Sequence, residues 1–259
     1  MRKKIDLNSD MGESFGAWRM GRDAELMDYV SSINIACGFH AGDPTIIAET
    51  IKTAIKKGVS VGAHPSYPDL QGFGRREMAL SPEEVFDIVL YQIAAVKGIC
   101  EAYGIKLHHV KPHGALYNRA AKDPALAKAI VKAVKTLDKN LVFYGLAGSH
   151  LISEAEKIGL KTASEVFADR TYQPDGTLTP RTEPGALIEN AERAVAQVLE
   201  MVKDQTVTAV GGEKISIKAD TVCIHGDTPQ APEFARTIRE RLIKNGIEVS
   251  AIWHFYSVK

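Results

Sequence analysis

Cysteine is scarce: Cys37, Cys100 and Cys223 are the three in 259 residues. An odd, sparse count is no disulfide framework, and without a Cys-x-x-Cys pair there is no zinc ribbon or thioredoxin-type motif. Net charge is absent as well, since 32 Lys and Arg balance 32 Asp and Glu. Nucleic-acid binders usually carry a basic excess, so no nucleic-acid partner is expected. An anionic membrane surface would likewise find no electrostatic hold. No apolar run reaches the roughly 18 residues of a spanning helix. The basic start, Met1 to Asp6, lacks the apolar stretch of a signal peptide. These absences together predict a reduced, cytoplasmic protein. Also missing are a Walker A loop, a Gly-x-Gly-x-x-Gly fingerprint and a Gly-x-Ser-x-Gly elbow. Any nucleotide must bind without a standard phosphate loop, and no serine nucleophile announces itself.

What is present is rhythm. Helix-like stretches end in Gly and an apolar strand follows at once, at Gly58, Gly104, Gly159 and Gly246. Gly after a helix adopts the left-handed conformation that closes it. Helix starts are legible at Asp43-Pro44, Ser81-Pro82-Glu83-Glu84 and Asp123-Pro124, where a capping side chain precedes proline. The pattern predicts helices near 44–57, 82–103, 124–137, 148–158, 185–203 and 230–244. Strands are predicted near 4–8, 31–36, 59–63, 106–111, 140–145, 160–164, 220–225 and 247–252. Strand–helix alternation implies a parallel sheet wrapped by helices, and the length suits a closed barrel. The expectation is an α/β fold: an irregular, seven-stranded parallel β/α barrel. Residues 206–218 alternate around Gly211-Gly212 and read as an inserted β-hairpin. No linker divides the chain, so residues 1–259 are taken as one domain. Trp18, Trp253, Phe255 and Tyr256 are assigned to packing.

Ionisable residues gather where strands end. Asp10 and Glu13 follow the first strand, His40 and Asp43 the second, and His64 the third. Lys111 and His113 follow the fourth, Asp169 and Arg170 the sixth, and His225 the seventh. In a β/α barrel that end is where active sites form, and helix N-termini there favour anions. Asp43 before Pro44 is equally a natural helix cap. Asp10, His40, His64 and His113 have the chemistry of metal ligands, but their spacing gives that reading little support. Histidines bonded to substrate or to each other are favoured, and no metal is expected. Two long loops, 65–77 and 165–185, should overhang the site, be more mobile than the strands they follow, and close over ligand. They bring Arg75, Arg76 and Arg181, whose guanidinium groups suit a carboxylate or phosphate. Cys37 is read as packing.

The stretches Asp6–Glu13, Asn34–Asp43, Gly62–Arg76, Val110–Asn118, Glu165–Arg181 and His225–Pro229 resemble the lactam-utilisation (LamB/YcsF-type) family. Its bacterial members are one of the component chains of 5-oxoprolinase, the A-type chain. The resemblance runs over essentially the whole sequence and departs at Ser9, where many members carry Cys. It implies an irregular barrel similar to that of sugar deacetylases. It implies ATP-dependent opening of 5-oxoproline to glutamate, with ATP as co-substrate and Mg²⁺ its usual companion, in a complex with two other 5-oxoprolinase subunits (B and C). In that chemistry water is the expected attacker, with Asp10 or His113 as its base. His40, His64 and His225 would protonate or hold the departing nitrogen. Lys111 and Arg170 would stabilise negative charge, Glu13 and Asp43 would orient these groups, and Arg75 or Arg181 would hold the substrate carboxylate. The competing readings are a metal-dependent deacetylase or amidase, and a non-catalytic binding subunit.

Overall fold

The computed structural model describes residues 3–226 and 230–252. In chain order the first elements are β1 (Lys4–Met11), α1 (Asp23–Leu26), β2 (Ser32–Ala36), α2 (Pro44–Lys57), β3 (Ser60–His64) and α3 (Pro82–Ala102). Then come β4 (His109–Val110), α4 (Gly114–Lys122), α5 (Pro124–Leu137), β5 (Val142–Leu146), α6 (His150–Lys157) and β6 (Lys161–Phe167). The chain continues through α7 (Ala191–Asp204), β7 (Thr206–Thr208), β8 (Lys214–Ser216), β9 (Thr221–Cys223), α8 (Ala231–Lys244) and β10 (Glu248–Val249).

Seven strands close into a parallel barrel in the order β1, β2, β3, β4, β5, β6, β9, with β9 pairing back onto β1. The expected seven-stranded β/α barrel is therefore the fold. β10 lies outside the ring, parallel to the start of β1 at Lys4 and Ile5. β7 and β8 form the antiparallel hairpin expected between α7 and β9. No described helix is long and apolar enough to cross a membrane.

Strand residues alternate between the barrel's two faces, and here the outward face is the apolar one. Ile5, Leu7, Met11, Ile33, Ile35, Val61, Val110, Phe143, Val166 and Val222 join one core cluster with helix residues such as Ile51, Ile93, Ile130 and Ile238. Each such side chain withdrawn from water contributes about 1.5–3 kcal/mol. The inward face is largely polar, unlike the branched aliphatic layers usual in β/α barrels. At its floor Asp6 accepts from Ser32, Tyr144 and Thr221. One layer up, Asn8 donates to Glu165 and Thr221, Asn34 donates to Asn8, and His109 donates to the Asn34 carbonyl. Gly62 belongs to this layer because any side chain there would run into the His109 ring.

Caps behave as the sequence predicts at Asp43, Ser81 and Asp123, and Ser81 with Glu84 forms a complete capping box. Three expectations need correction. The helix expected at 185–203 begins at Ala191, capped by Asn190. The preceding backbone is spent elsewhere: Ile188 donates to Asp169, and Ala186 accepts from Thr171. Helix α4 is not anticipated by the sequence pattern, because it opens on a glycine and His113 before it makes no side-chain capping bond. Trp18 is not packed; it is 74% exposed. Trp253, Phe255 and Tyr256 lie outside the described residues.

Candidate active site

Above the polar layers, at the carboxyl ends of the strands, opens a cavity of about 700 Å³. Asp10, Glu13, His64, Arg75, Lys111, His113, Arg170, Arg181 and His225 all line it. Nine of the thirteen residues singled out from the sequence thus meet in one place. His40 sits directly behind, its ring stacked on His113 with centroids 3.8 Å apart. Asp169 is held behind His225, whose Nδ1 lies 2.7 Å from its Oδ2.

Two residues do other work. Asp43 accepts from the backbone of Thr45, Ile46 and Gly16. Those bonds hold its carboxyl below the usual range, and they make it the cap of α2 and an anchor for the β1–α1 loop. Arg76 is bound to the buried Asp69, which also accepts from Gly72. That ion pair shapes the 65–77 loop from outside the cavity. Asp227, Thr228 and Pro229 lie outside the described residues.

The cavity floor is an ion-pair cluster. The Lys111 ammonium is 2.9 Å from Asp10 Oδ1, 2.9 Å from Glu165 Oε1 and 3.1 Å from Cys223 Sγ. Burial opposes its charge, but the Asp10 and Glu165 carboxylates hold it well above the ordinary lysine range. Burial likewise opposes the Asp10 carboxylate, and His64 and Lys111 more than offset it, so the group stays far below its usual value. Asn34 adds a donated bond to Asp10 at 2.9 Å. Glu165 also accepts from the Tyr117 hydroxyl at 2.7 Å. Cys223 and Cys37 are both pushed well up by burial, so neither is a thiolate. Ser9 donates to the Ile224 carbonyl at 2.6 Å and is fully buried, which makes it structural.

A histidine group forms the wall beside that floor. His64 Nδ1 lies 2.7 Å from the Lys111 carbonyl, and its Nε2 lies 2.9 Å from His113 Nδ1 and 3.3 Å from Asp10 Oδ2. His113 Nε2 is 2.9 Å from the Phe73 carbonyl. Burial first, then neighbouring imidazoles, keeps His40 and His113 well below the ordinary histidine range. The 65–77 loop reaches this wall through Gly74, at φ +64°; a Cβ there would press within 2.9 Å of the His113 and His40 side chains.

The far rim belongs to the 165–185 loop. Arg170 is buried, with Nη2 2.5 Å from the Thr179 carbonyl. Burial, reinforced by Arg181, lowers its guanidinium to about 10. Arg181 donates to His225 Nε2 at 2.9 Å, so His225 carries its proton on Nδ1, facing Asp169. The result is a carboxylate-backed imidazole whose other nitrogen faces the cavity beneath Arg181.

Sequence reasoning passed over Glu165, Asn8, Asn34, His109 and Tyr117, which hold the catalytic-type groups from below. The available signal was the run Asp6-Leu7-Asn8-Ser9-Asp10, where alternate polar residues must share one strand face.

Comparison with known proteins gives a consistent picture. Residues 5–256 match the LamB/YcsF family. The A-type component chain of the 5-oxoprolinase of Bordetella parapertussis is 57% identical over 251 residues, spanning 97% of this chain and 100% of that protein. Its Bacillus subtilis counterpart is 57% identical over 249 residues, spanning 96% of this chain and 97% of its own. The crystal structure of a lactam utilization protein from Thermus thermophilus is 50% identical and superposes with a TM-score of 0.91 over 96% of this chain and 100% of that one. Matched along nearly its whole length in both sequence and fold, the chain belongs to the LamB/YcsF family.

Proposed function

We propose that this chain is the lactam-binding component of an ATP-dependent 5-oxoprolinase, opening 5-oxo-L-proline to L-glutamate with two partner subunits. The observation that carries the reading is the cavity itself. It places a carboxylate-backed imidazole and a buried lysine–carboxylate cluster under a rim of arginines, a setting suited to a small anionic cyclic amide. Near full-length similarity to proteins named as a component of 5-oxoprolinase supports the same substrate.

A five-membered lactam is a resonance-stabilised amide, and free glutamate cyclises readily, so opening needs to be driven. Transfer of the γ-phosphoryl group of ATP, carried with Mg²⁺, to the ring carbonyl oxygen would supply that drive and release ADP. Water then adds to the activated carbon, the carbon–nitrogen bond breaks with a proton delivered to nitrogen, and a second water releases phosphate. Within this chain, His225 is the best-placed base for water once Arg181 turns to the substrate, because Asp169 orients the ring and stabilises the imidazolium that forms. The same group then carries the proton to the departing nitrogen. Asp10 is held too acidic to be a strong base, and both His113 nitrogens face other groups. Asp10 and Lys111 fix the charge pattern of the floor. Arg75 and Arg181 hold the substrate carboxylate.

No phosphate loop is visible in the sequence, so activation depends on the partners. The isolated chain should form almost no glutamate, and mixing it with both partner subunits should restore formation of glutamate and phosphate together. In that mixture His225→Gln should cost about 10²–10⁴-fold, and Asp10→Asn should lose most activity, both with unchanged circular dichroism. Full ATP-driven turnover by the isolated chain, or full activity of both variants in the complex, would sink the proposal.

A further inference from the structure

Two imidazoles in the cavity wall face one another with lone pairs. His64 Nδ1 lies 2.7 Å from a carbonyl oxygen, so it carries that ring's proton. His113 Nε2 lies 2.9 Å from another carbonyl oxygen, so it carries the proton there. What remains is His64 Nε2 and His113 Nδ1, 2.9 Å apart with the Asp10 carboxylate 3.3 Å from the first, and without an added cation both are acceptors. Such a pair requires a cation between or beside the nitrogens.

We propose that Glu13, His40, His64 and His113 hold one divalent transition-metal ion of the zinc class. A shared proton would satisfy only two of the rings. It would leave His40, 1% exposed, with neither ring nitrogen hydrogen-bonded. Glu13 Oε1 lies 3.6 Å from His40 Nε2 and 3.8 Å from His113 Nδ1, longer than hydrogen bonds but within reach of a shared ion. All four ligand atoms lie within 4.8 Å of one another. A tetrahedral zinc site with bonds of about 2.0–2.1 Å has ligand–ligand edges of about 3.3 Å, and the observed separations of 2.9, 3.6 and 3.8 Å bracket that value. Three imidazoles and one carboxylate suit zinc and its neighbours better than calcium or magnesium, which prefer all-oxygen sets. The carbonyl bonds behind His64 and His113 are the outer contacts that fix a ligating tautomer.

A second trio, Asp10, Cys223 and His225, also comes within ligand range. There the Lys111 ammonium already lies against Asp10 and Cys223, and a cation would meet like charge. The Asp10 carboxylate 3.3 Å from His64 Nε2 adds favourable negative charge to the four-ligand set.

Four protein ligands close the tetrahedron, so the ion is structural. It ties the ends of β1, β2, β3 and β4 together under the Gly74 turn. The inference is independent of the reaction performed in the cavity. It is tested on the full-length chain, stripped with a chelator and titrated with Co²⁺ while visible absorption is followed. One equivalent should bind with the intense d–d bands of a four-coordinate ion. Zn²⁺ should displace it and raise Tm. Glu13→Gln and His113→Gln should each weaken binding at least about tenfold with circular dichroism unchanged, while Cys223→Ser leaves it unaltered. Absence of stoichiometric binding overturns the proposal. So do binding indifferent to the Glu13 and His113 substitutions, a six-coordinate spectrum, or a dependence on Cys223.

Discussion

Replacing Lys111 with methionine tests whether the barrel floor is held by charge. Methionine keeps most of the length and apolar stem while removing the ammonium. At 2.9 Å from both Asp10 and Glu165, the ammonium gains roughly 6 kcal/mol from each carboxylate at an effective dielectric of about 20. Burying the ion costs several kcal/mol in return. Losing one partner strands two carboxylates in a dry interior, and such losses cost about 3–5 kcal/mol. For a domain of this size that lowers Tm by roughly 6–20 °C. The deficit should be smaller at pH 5 than at pH 8. A stranded carboxyl takes up a proton in the folded state that the unfolded chain does not hold, so stability falls as pH rises. Adding Glu165→Gln should recover a large part of the loss, because one of the stranded charges is gone. Denaturant titrations of the parent, both single variants and the double variant supply the cycle. A Lys111→Met chain within about 1 kcal/mol of the parent, or a double variant no better than the single, would refute the ion-pair account.

Two further outcomes are expected. Burial first, with His108 and Lys111 adding, holds His109 neutral and well below its usual range. The unfolded chain therefore binds a proton below about pH 6.5 that the folded chain refuses, and stability should drop by up to about 1.4 kcal/mol per pH unit in that window. His109→Gln should flatten the drop by that amount, and an unchanged slope in urea titrations between pH 5 and 7 would disprove the link. In the 165–185 loop, Arg170, Tyr172 and Thr179 are buried and should exchange amide hydrogens slowly, while 173–177 and 181–184 should exchange fast until substrate and partner subunits are added. Exchange that is equally slow throughout, or unaltered on those additions, would count against a closing loop.

The barrel was legible because its signals are local. Gly58 at φ +67° closes α2, and Asp43, Ser81 and Asp123 open helices; none of these needs a distant partner. The strand-end site was legible because topology alone brings carboxyl ends of parallel strands together. The roles of individual residues were not. Asp43 and Asp10 are the same residue type at successive strand ends, yet one is spent on backbone donors and the other on Lys111 and Asn34. Only packing decides between them. Arg76 and Arg75 are neighbours, and a single buried partner, Asp69, draws Arg76 out of the cavity. The α7 start was misplaced because backbone pairing with Asp169 and Thr171 is a long-range competitor that no propensity reveals.

Why the interior is polar follows from what the mouth must hold. A carboxylate and an ammonium can stay charged in a buried place only if their remaining bonds are met. An aliphatic layer beneath Asp10 and Lys111 could offer none. Asn8 and Asn34 instead relay bonds to Glu165, Thr221 and His109, and the Thr221 hydroxyl in turn ends on Asp6. Because this column takes the inside of the barrel, nearly all apolar burial shifts to the outer strand face against the helices. Core substitutions there should cost stability with little effect on chemistry. Substitutions inside the barrel, even at the Asp6 floor far from the cavity, should disturb both, since each member of the column is another's hydrogen-bond partner.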